Sequence, residues 1–257
     1  MLLFVVFALP FLTGLNSPDG LSADGNGIYI CEENAGRVLY AAFDGTVTVI
    51  AEELSSPEGI CVTESGRILV VEDTEHGRLV ELSGGSIVTL ASDLCCPEGV
   101  TVDGSDDIWF TTGGIQGDCL FTTLWKLSEG DIIAEYSLPS VFSFSDVEAA
   151  VDGMIYVCSE SSGLIGNVAV FQFNPASGEL LPFVTGVSAC EGICTTSGGF
   201  PLYITDESGS VYTVDSNGTP YFFTGGMETV EDVAVAGVRL FVSEDGTGSV
   251  LAVEAHE

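Results

Sequence analysis

Pro57-Glu58-Gly59-Ile60 returns forty residues on as Pro97-Glu98-Gly99-Val100, and again, with Cys in place of Pro, as Cys190-Glu191-Gly192-Ile193. Looser copies are Pro18-Asp19-Gly20-Leu21, Val147-Glu148-Ala149-Ala150 and Val230-Glu231-Asp232-Val233. The acidic positions 19, 58, 98, 148, 191 and 231 are separated by 39, 40, 50, 43 and 40 residues, so six copies of one unit fill the chain. Self-similarity at such a period marks a repeat architecture.

Each unit has the same interior. A short apolar strand follows the acid, then a Gly-containing turn, then a β-rich run such as Ile28-Tyr-Ile-Cys31, Ile68-Leu-Val-Val71, Ile108-Trp-Phe-Thr111, Ile155-Tyr-Val-Cys158, Leu202-Tyr-Ile-Thr205 or Leu240-Phe-Val-Ser243. Two more strands complete the unit. Four short strands in about 40 residues are a propeller blade, and no stretch keeps a 3.6-residue apolar period. The expected fold is all-β: one six-bladed β-propeller over 1–257, with blades starting near 18, 57, 97, 147, 190 and 230.

The last unit has only three strands. Its fourth is expected from residues 8–15, because Leu9-Pro-Phe-Leu-Thr-Gly-Leu15 nearly copies Leu181-Pro-Phe-Val-Thr-Gly-Val187, and each precedes an acidic motif. Such a strand would close the ring and cover an edge. The competing reading of Met1–Leu15 is a secretory leader, which lacks a preceding Lys or Arg and an A-x-A-like site. Met1–Phe7 could be the remnant of one.

The 257 residues carry 38 Asp+Glu against 5 Lys+Arg, a net charge of −33, yet 46% are hydrophobic. The apolar content is enough for a core. Five bases cannot neutralise a phosphate track, so nucleic acid is excluded as a partner, and anionic membrane surfaces are disfavoured. No run reaches the roughly 18 apolar residues of a membrane span. The expected partners are a cation, a small-molecule substrate or a basic protein, for a monomeric propeller that is extracytoplasmic or secreted.

Blade geometry says where the acids point. The start of the first strand and the end of the second emerge on one face. Asp19, Glu58, Glu98, Glu148, Glu191 and Glu231 should therefore ring one channel mouth as metal ligands. A second set, Glu32-Glu33, Glu72-Asp73, Glu160, Asp206-Glu207 and Glu244-Asp245, should form a collar above them, with Thr111-Thr112 in blade three. Of these, Glu32, Glu72, Asp73, Asp206 and Glu244 are the expected substrate-binding residues. Like charges at 4 Å repel by ~1 kcal/mol in water and ~4 kcal/mol at an effective dielectric of 20. Raised pKa values, wide spacing or a bound cation would sustain such a ring. All-oxygen donors favour Ca²⁺, or else Mg²⁺.

The Pro-Glu-Gly blade starts and runs such as Gly66-Arg-Ile-Leu-Val-Val-Glu-Asp73 resemble the NHL-repeat propellers and the SMP-30/gluconolactonase/LRE-like group. That resemblance implies one divalent cation on the channel axis, held by residues just before the Gly of several inner strands, and hydrolysis of a small ester or lactone. The family's ligands are a Glu, an Asp and Asn side chains, whereas none of the six matching positions here is Asn. The NHL-type alternative is a non-enzymatic interaction or structural module. Ile108-Trp-Phe-Thr111 also resembles blades of the Mg²⁺-dependent streptogramin lyases, which use a catalytic His on the site face.

His76, in Thr74-Glu75-His76-Gly77, is the one imidazole that could act as such a base. The turn is equally a place for a solvated side chain. Of the eight cysteines, Cys31, Cys61, Cys158 and Cys194 sit at repeat positions and read as small core residues. Cys95, Cys96 and Cys119 fall in loops, where a disulfide could form in an oxidising compartment. The long third unit implies an insertion around Gly113–Thr123 above the acidic face, either a lid or a tolerated surface loop.

Overall fold

The computed structural model describes residues 8–113, 119–139, 142–160 and 167–254. They form six four-stranded antiparallel sheets. The innermost strand of each packs against those of its two neighbours, and the last packs against the first, so the sheets close a ring. The fold is the expected six-bladed propeller. Among the described residues there is no α-helix, and 3-10 turns occur at Glu33–Ala35 and Asp245–Thr247.

The second strands explain the continuous apolar runs in the sequence. Ile28, Ile30 and Cys31, or Leu69, Val70 and Val71, are wholly buried because neighbouring blades cover both faces of the sheet. The core is correspondingly divided into clusters between adjacent blades. Trp109, Leu124, Phe144, Val157 and Phe173 join blades three and four. Tyr156, Val170, Val184, Ile193 and Ile204 join four and five.

Ring closure follows the expectation from the Leu9 and Leu181 copies. Leu9–Thr13 pairs antiparallel with Ser249–Glu254, with Leu9 opposite Ala252 and Thr13 opposite Ser249, as the outermost strand of blade six. Met1–Phe7, the stretch that could be a leader remnant, lies outside the described residues. So does the centre of the blade-three insertion. Its distal part is strand: Phe121–Ser128 runs beside Ile108–Thr112, with Thr123 opposite Thr112, and lengthens the hairpin with Asp131–Pro139.

One feature of the inner strands sets up the site. In every blade the register with the second strand jumps by one residue just after the strand begins: Pro18 faces Glu32 but Leu21 faces Ile30, and Pro57 faces Glu72 but Ile60 faces Val70. The same bulge recurs at Pro97/Val100, Phe144/Val147, Cys190/Ile193 and Val230/Val233. A bulge re-aims a side chain, and here it holds the repeated acid.

Candidate metal-binding face of the channel

The residue pairs inside the six bulges are Asp19-Gly20, Glu58-Gly59, Glu98-Gly99, Ser145-Asp146, Glu191-Gly192 and Glu231-Asp232. The glycines are required by close approach. A Cβ on Gly20 would collide with the Glu58 carbonyl, and one on Gly59 with the Glu98 carbonyl. In blades four and six Asp fills this slot and hydrogen-bonds across the gap. Asp146 Oδ2 accepts from the Ile193 N–H at 2.9 Å, and Asp232 Oδ2 accepts from the Leu21 N–H at 2.6 Å.

The first member of each pair points into a narrow compartment of about 30 Å³, lined by Asp19, Glu58, Glu98, Ser145, Glu191 and Glu231 with Asp146 and Asp232 beneath. Five of the six expected ring residues are thus brought together. Glu148 is the exception. The ring position of blade four is Ser145, whose hydroxyl donates to the Cys190 carbonyl at 2.6 Å. Glu148 sits three residues further along the strand, past the bulge. It lines a separate cavity of about 670 Å³ at the other mouth of the channel, where Thr195 donates to it through N–H (3.0 Å) and Oγ1 (2.6 Å).

The collar also divides. The first acid of each pair closes the second strand and is buried as structure. Glu32, with no exposed surface, accepts from Asn16 N–H and pairs with Arg37. Glu72 accepts from Ser55 N–H at 2.9 Å and from Arg78. Asp206 takes Ser188 and Ser208, and Glu244 takes the Glu228 N–H and Thr247. Their oxygens tie down the loops between blades. These four, expected to bind substrate, are spent on the scaffold.

The second acid faces the site. Glu33, Asp73, Glu160, Glu207 and Asp245 each donate their N–H to the loop before the blade, as Gly113 does in blade three. They form an outer ring around the inner one. Asp73 is the one residue of the expected substrate-binding set that belongs to it, and its Oδ1 is buried without a hydrogen-bond partner.

The electrostatics join the two rings. Burial raises Asp19, Glu58 and Glu98 well above the usual carboxylate range, and neighbouring acids add to it. The carboxyl groups of Glu98 and Asp73 both raise that of Glu58. Glu191 is pushed up to about 10 by burial, then by Glu160 and Glu231. Glu231 rises to about 7 by burial and Asp245, and Glu160 to about 7 by burial and Glu207. None of the five Lys and Arg residues lines the compartment. Arg37 and Arg78 hold Glu32 and Glu72, Arg67 holds Glu81 and Asp106, and Lys126 holds Asp107.

His76 does not join the site. Its side chain is 82% exposed and bonds Asp93 at 2.7 Å, so it does not stand where the lyase-type base was expected. The cysteines hold two disulfides, Cys95–Cys119 and Cys158–Cys190. The first falls among the expected loop cysteines. The second corrects the reading of Cys158 as a plain core residue: the second strand of blade four ends beside the inner strand of blade five, with Cα atoms 5.3 Å apart. Cys31, Cys61 and Cys194 are free.

No protein-family model matches the chain, and no curated protein matches it. Solved structures do. A gluconolactonase from Xanthomonas campestris aligns with a TM-score of 0.83 at 17% identity over 97% of this chain and 89% of its own. Regucalcin, a calcium-binding protein from Agrobacterium tumefaciens, aligns at 0.76 and 13% identity over 98% and 96%. Virginiamycin B lyase from Staphylococcus aureus aligns at 0.67 and 17% over 98% and 88%. At these identities the likeness is one of fold.

Proposed function

We propose that the chain is a divalent-cation-binding propeller that uses its acidic channel mouth as a metal-dependent hydrolase of small esters or lactones. The observation that carries the reading is one small compartment walled by Asp19, Glu58, Glu98, Glu191 and Glu231 with no basic residue in its wall. The donor set fits a hard cation, Ca²⁺ before Mg²⁺, because it is all oxygen. The unpartnered Oδ1 of Asp73 beside Glu58 fits the same ion. The gluconolactonase and regucalcin alignments support the class of activity and the ion.

Asp19, Glu58, Glu98, Glu191 and Glu231 would hold the ion. Among the described residues, no three ring carboxylates bring donor atoms within 4.8 Å of one another, so holding it asks the side chains to turn inward or to use water. Bound there, it would polarise a substrate carbonyl and acidify water. The chain's own contribution is proton handling and charge. Glu160 of the outer ring, held at about 7, exchanges a proton near neutral pH. Its carboxylate is suited to take the proton from an attacking water and return it to the leaving alkoxide. The outer ring attracts cations and turns away carboxylate products. The two disulfides agree with an extracytoplasmic setting.

Elemental analysis and calorimetry test the reading, followed by an ester and lactone screen with and without chelator. One Ca²⁺ or Mg²⁺ per chain is expected, lost in the Glu58→Gln/Glu191→Gln double variant. A chain that binds neither ion would sink it. A second reading, a partner-binding module, has its own observation: an apolar rim groove of about 390 Å³ lined by Tyr136, Leu138, Phe142, Phe171 and Leu180. Metal binding with no turnover of any ester or lactone would favour it.

A further inference from the structure

Beside the acidic face lies a cluster of a different chemical kind. Cys95, Cys96 and Cys119 are the one trio of potential ligands, among the described residues, whose donor atoms all fall within 4.8 Å of one another. Cys95 and Cys119 are bonded, and Cys96 remains a thiol with its Sγ 3.7 Å from that of Cys119. In a tetrahedral thiolate site with metal–sulfur bonds of about 2.3 Å, neighbouring sulfurs stand ~3.8 Å apart. The third sulfur is already at ligand spacing.

The backbone would keep it there after reduction. Gly113 N–H donates to both the Cys95 carbonyl (2.8 Å) and the Cys96 carbonyl (2.9 Å), and Cys96 N–H donates to the Thr74 carbonyl at 3.0 Å. Cys96 and Cys119 are 3% and 7% exposed, so water competes little at the sulfurs.

We propose that, once the Cys95–Cys119 bond is reduced, Cys95, Cys96 and Cys119 supply three thiolates to a soft divalent cation of the Zn²⁺ type, with water as the fourth ligand. The bond and the ion exclude each other. A dithiol supplies two electrons and two protons, breaking the S–S bond to leave two thiols, and itself closes to a disulfide. The metal then displaces three thiol protons to solvent as three sulfur–metal bonds form. Thiolates prefer such an ion to Ca²⁺, which stays with the carboxylate rings. The disulfide thus decides whether this corner is a covalent staple or a metal centre.

The test uses the whole chain, reduced without oxygen by a dithiol, freed of it by gel filtration, and titrated with Co²⁺ in excess Ca²⁺. Reduced protein is expected to take one Co²⁺ with thiolate-to-cobalt charge-transfer absorption and tetrahedral visible bands, both bleached by Zn²⁺. Oxidised protein should show neither. Cys96→Ser should lose the tight binding. Reduced protein without the band, or Cys96→Ser binding like the parent, overturns the site. Should Cys96→Ser not fold, iodoacetamide labelling of the reduced parent decides. Zn²⁺ must slow alkylation of Cys95, Cys96 and Cys119, and unchanged rates overturn the proposal.

Discussion

Asp232 Oδ2, in the last blade, accepts a hydrogen bond of 2.6 Å from the N–H of Leu21, in the first, across 211 residues of sequence. Its Oδ1 accepts from the N–H of Val233. Asp146 repeats the arrangement between blades four and five, with Val147 and Ile193. Four blades have Gly where these two have Asp. The carboxylates are therefore seam fasteners at two of six inter-blade gaps.

Asp232→Gly adopts the residue of the other blades but leaves the Leu21 N–H buried without its acceptor. We expect a loss of about 1–3 kcal/mol in denaturant unfolding. Asp146→Gly should cost a similar amount through Ile193. A variant as stable as the parent would show that the seam does not need the carboxylate.

The rings make stability fall with pH when cations are removed. A carboxyl whose folded pKa is raised binds its proton more tightly in the folded state. Its contribution is therefore fully present below the unfolded value near 4 and is lost as pH rises towards the folded one. The window runs from about 4 to 7 for Glu160 and Glu231 and on to 10 for Glu191. In chelator, the Tm should drop steadily from pH 5 to pH 8, and Ca²⁺ should restore it most at pH 8. A flat profile in chelator would contradict the assignment.

Glu72 is 1% exposed and held by Arg78. Arg78→Ala strands a buried carboxylate, so a loss of about 3 kcal/mol is expected. The double change Glu72→Met/Arg78→Met should recover much of it. Arg239, exposed on blade six, serves as a control whose alanine variant should stay within about 0.5 kcal/mol of the parent.

Gly59→Ala drives a methyl group into the carbonyl of Glu98. Overpacking of this kind costs about 1–3 kcal/mol, and it should also spread the inner ring and weaken Ca²⁺ binding in calorimetry. Gly66→Ala is the contrast. Its Cβ would meet nothing within 4 Å, but its φ of +83° still carries local strain. It should lose stability without losing the ion.

The blades were legible because the Glu-Gly pair recurs at one phase. The mouth of the channel was legible wherever Gly marked the bulge. In blade four no Gly is present, and the acid that stands out, Glu148, lies beyond the bulge. A strand rises about 3.3 Å per residue, so an offset of three residues carried that carboxylate along the channel to the other cavity. The paired acids failed for another reason. Glu32 and Glu33 look alike as letters, and the loop amide of Asn16 and the guanidinium of Arg37 separate a buried acceptor from one facing the channel. Cys158 and Cys190 meet because adjacent blades touch, a contact that repeat position alone does not display.

The clasp between Leu9–Thr13 and Ser249–Glu254 has a consequence in time. Leu9 pairs with Ala252, 252 − 9 = 243 residues later. At the ~5–20 residues per second of protein synthesis, the Leu9–Thr13 strand waits roughly 12–50 s for its partner. Throughout that wait the nascent chain has an unpaired edge at each end, so its period of greatest exposure to wrong strand pairing falls on the ribosome.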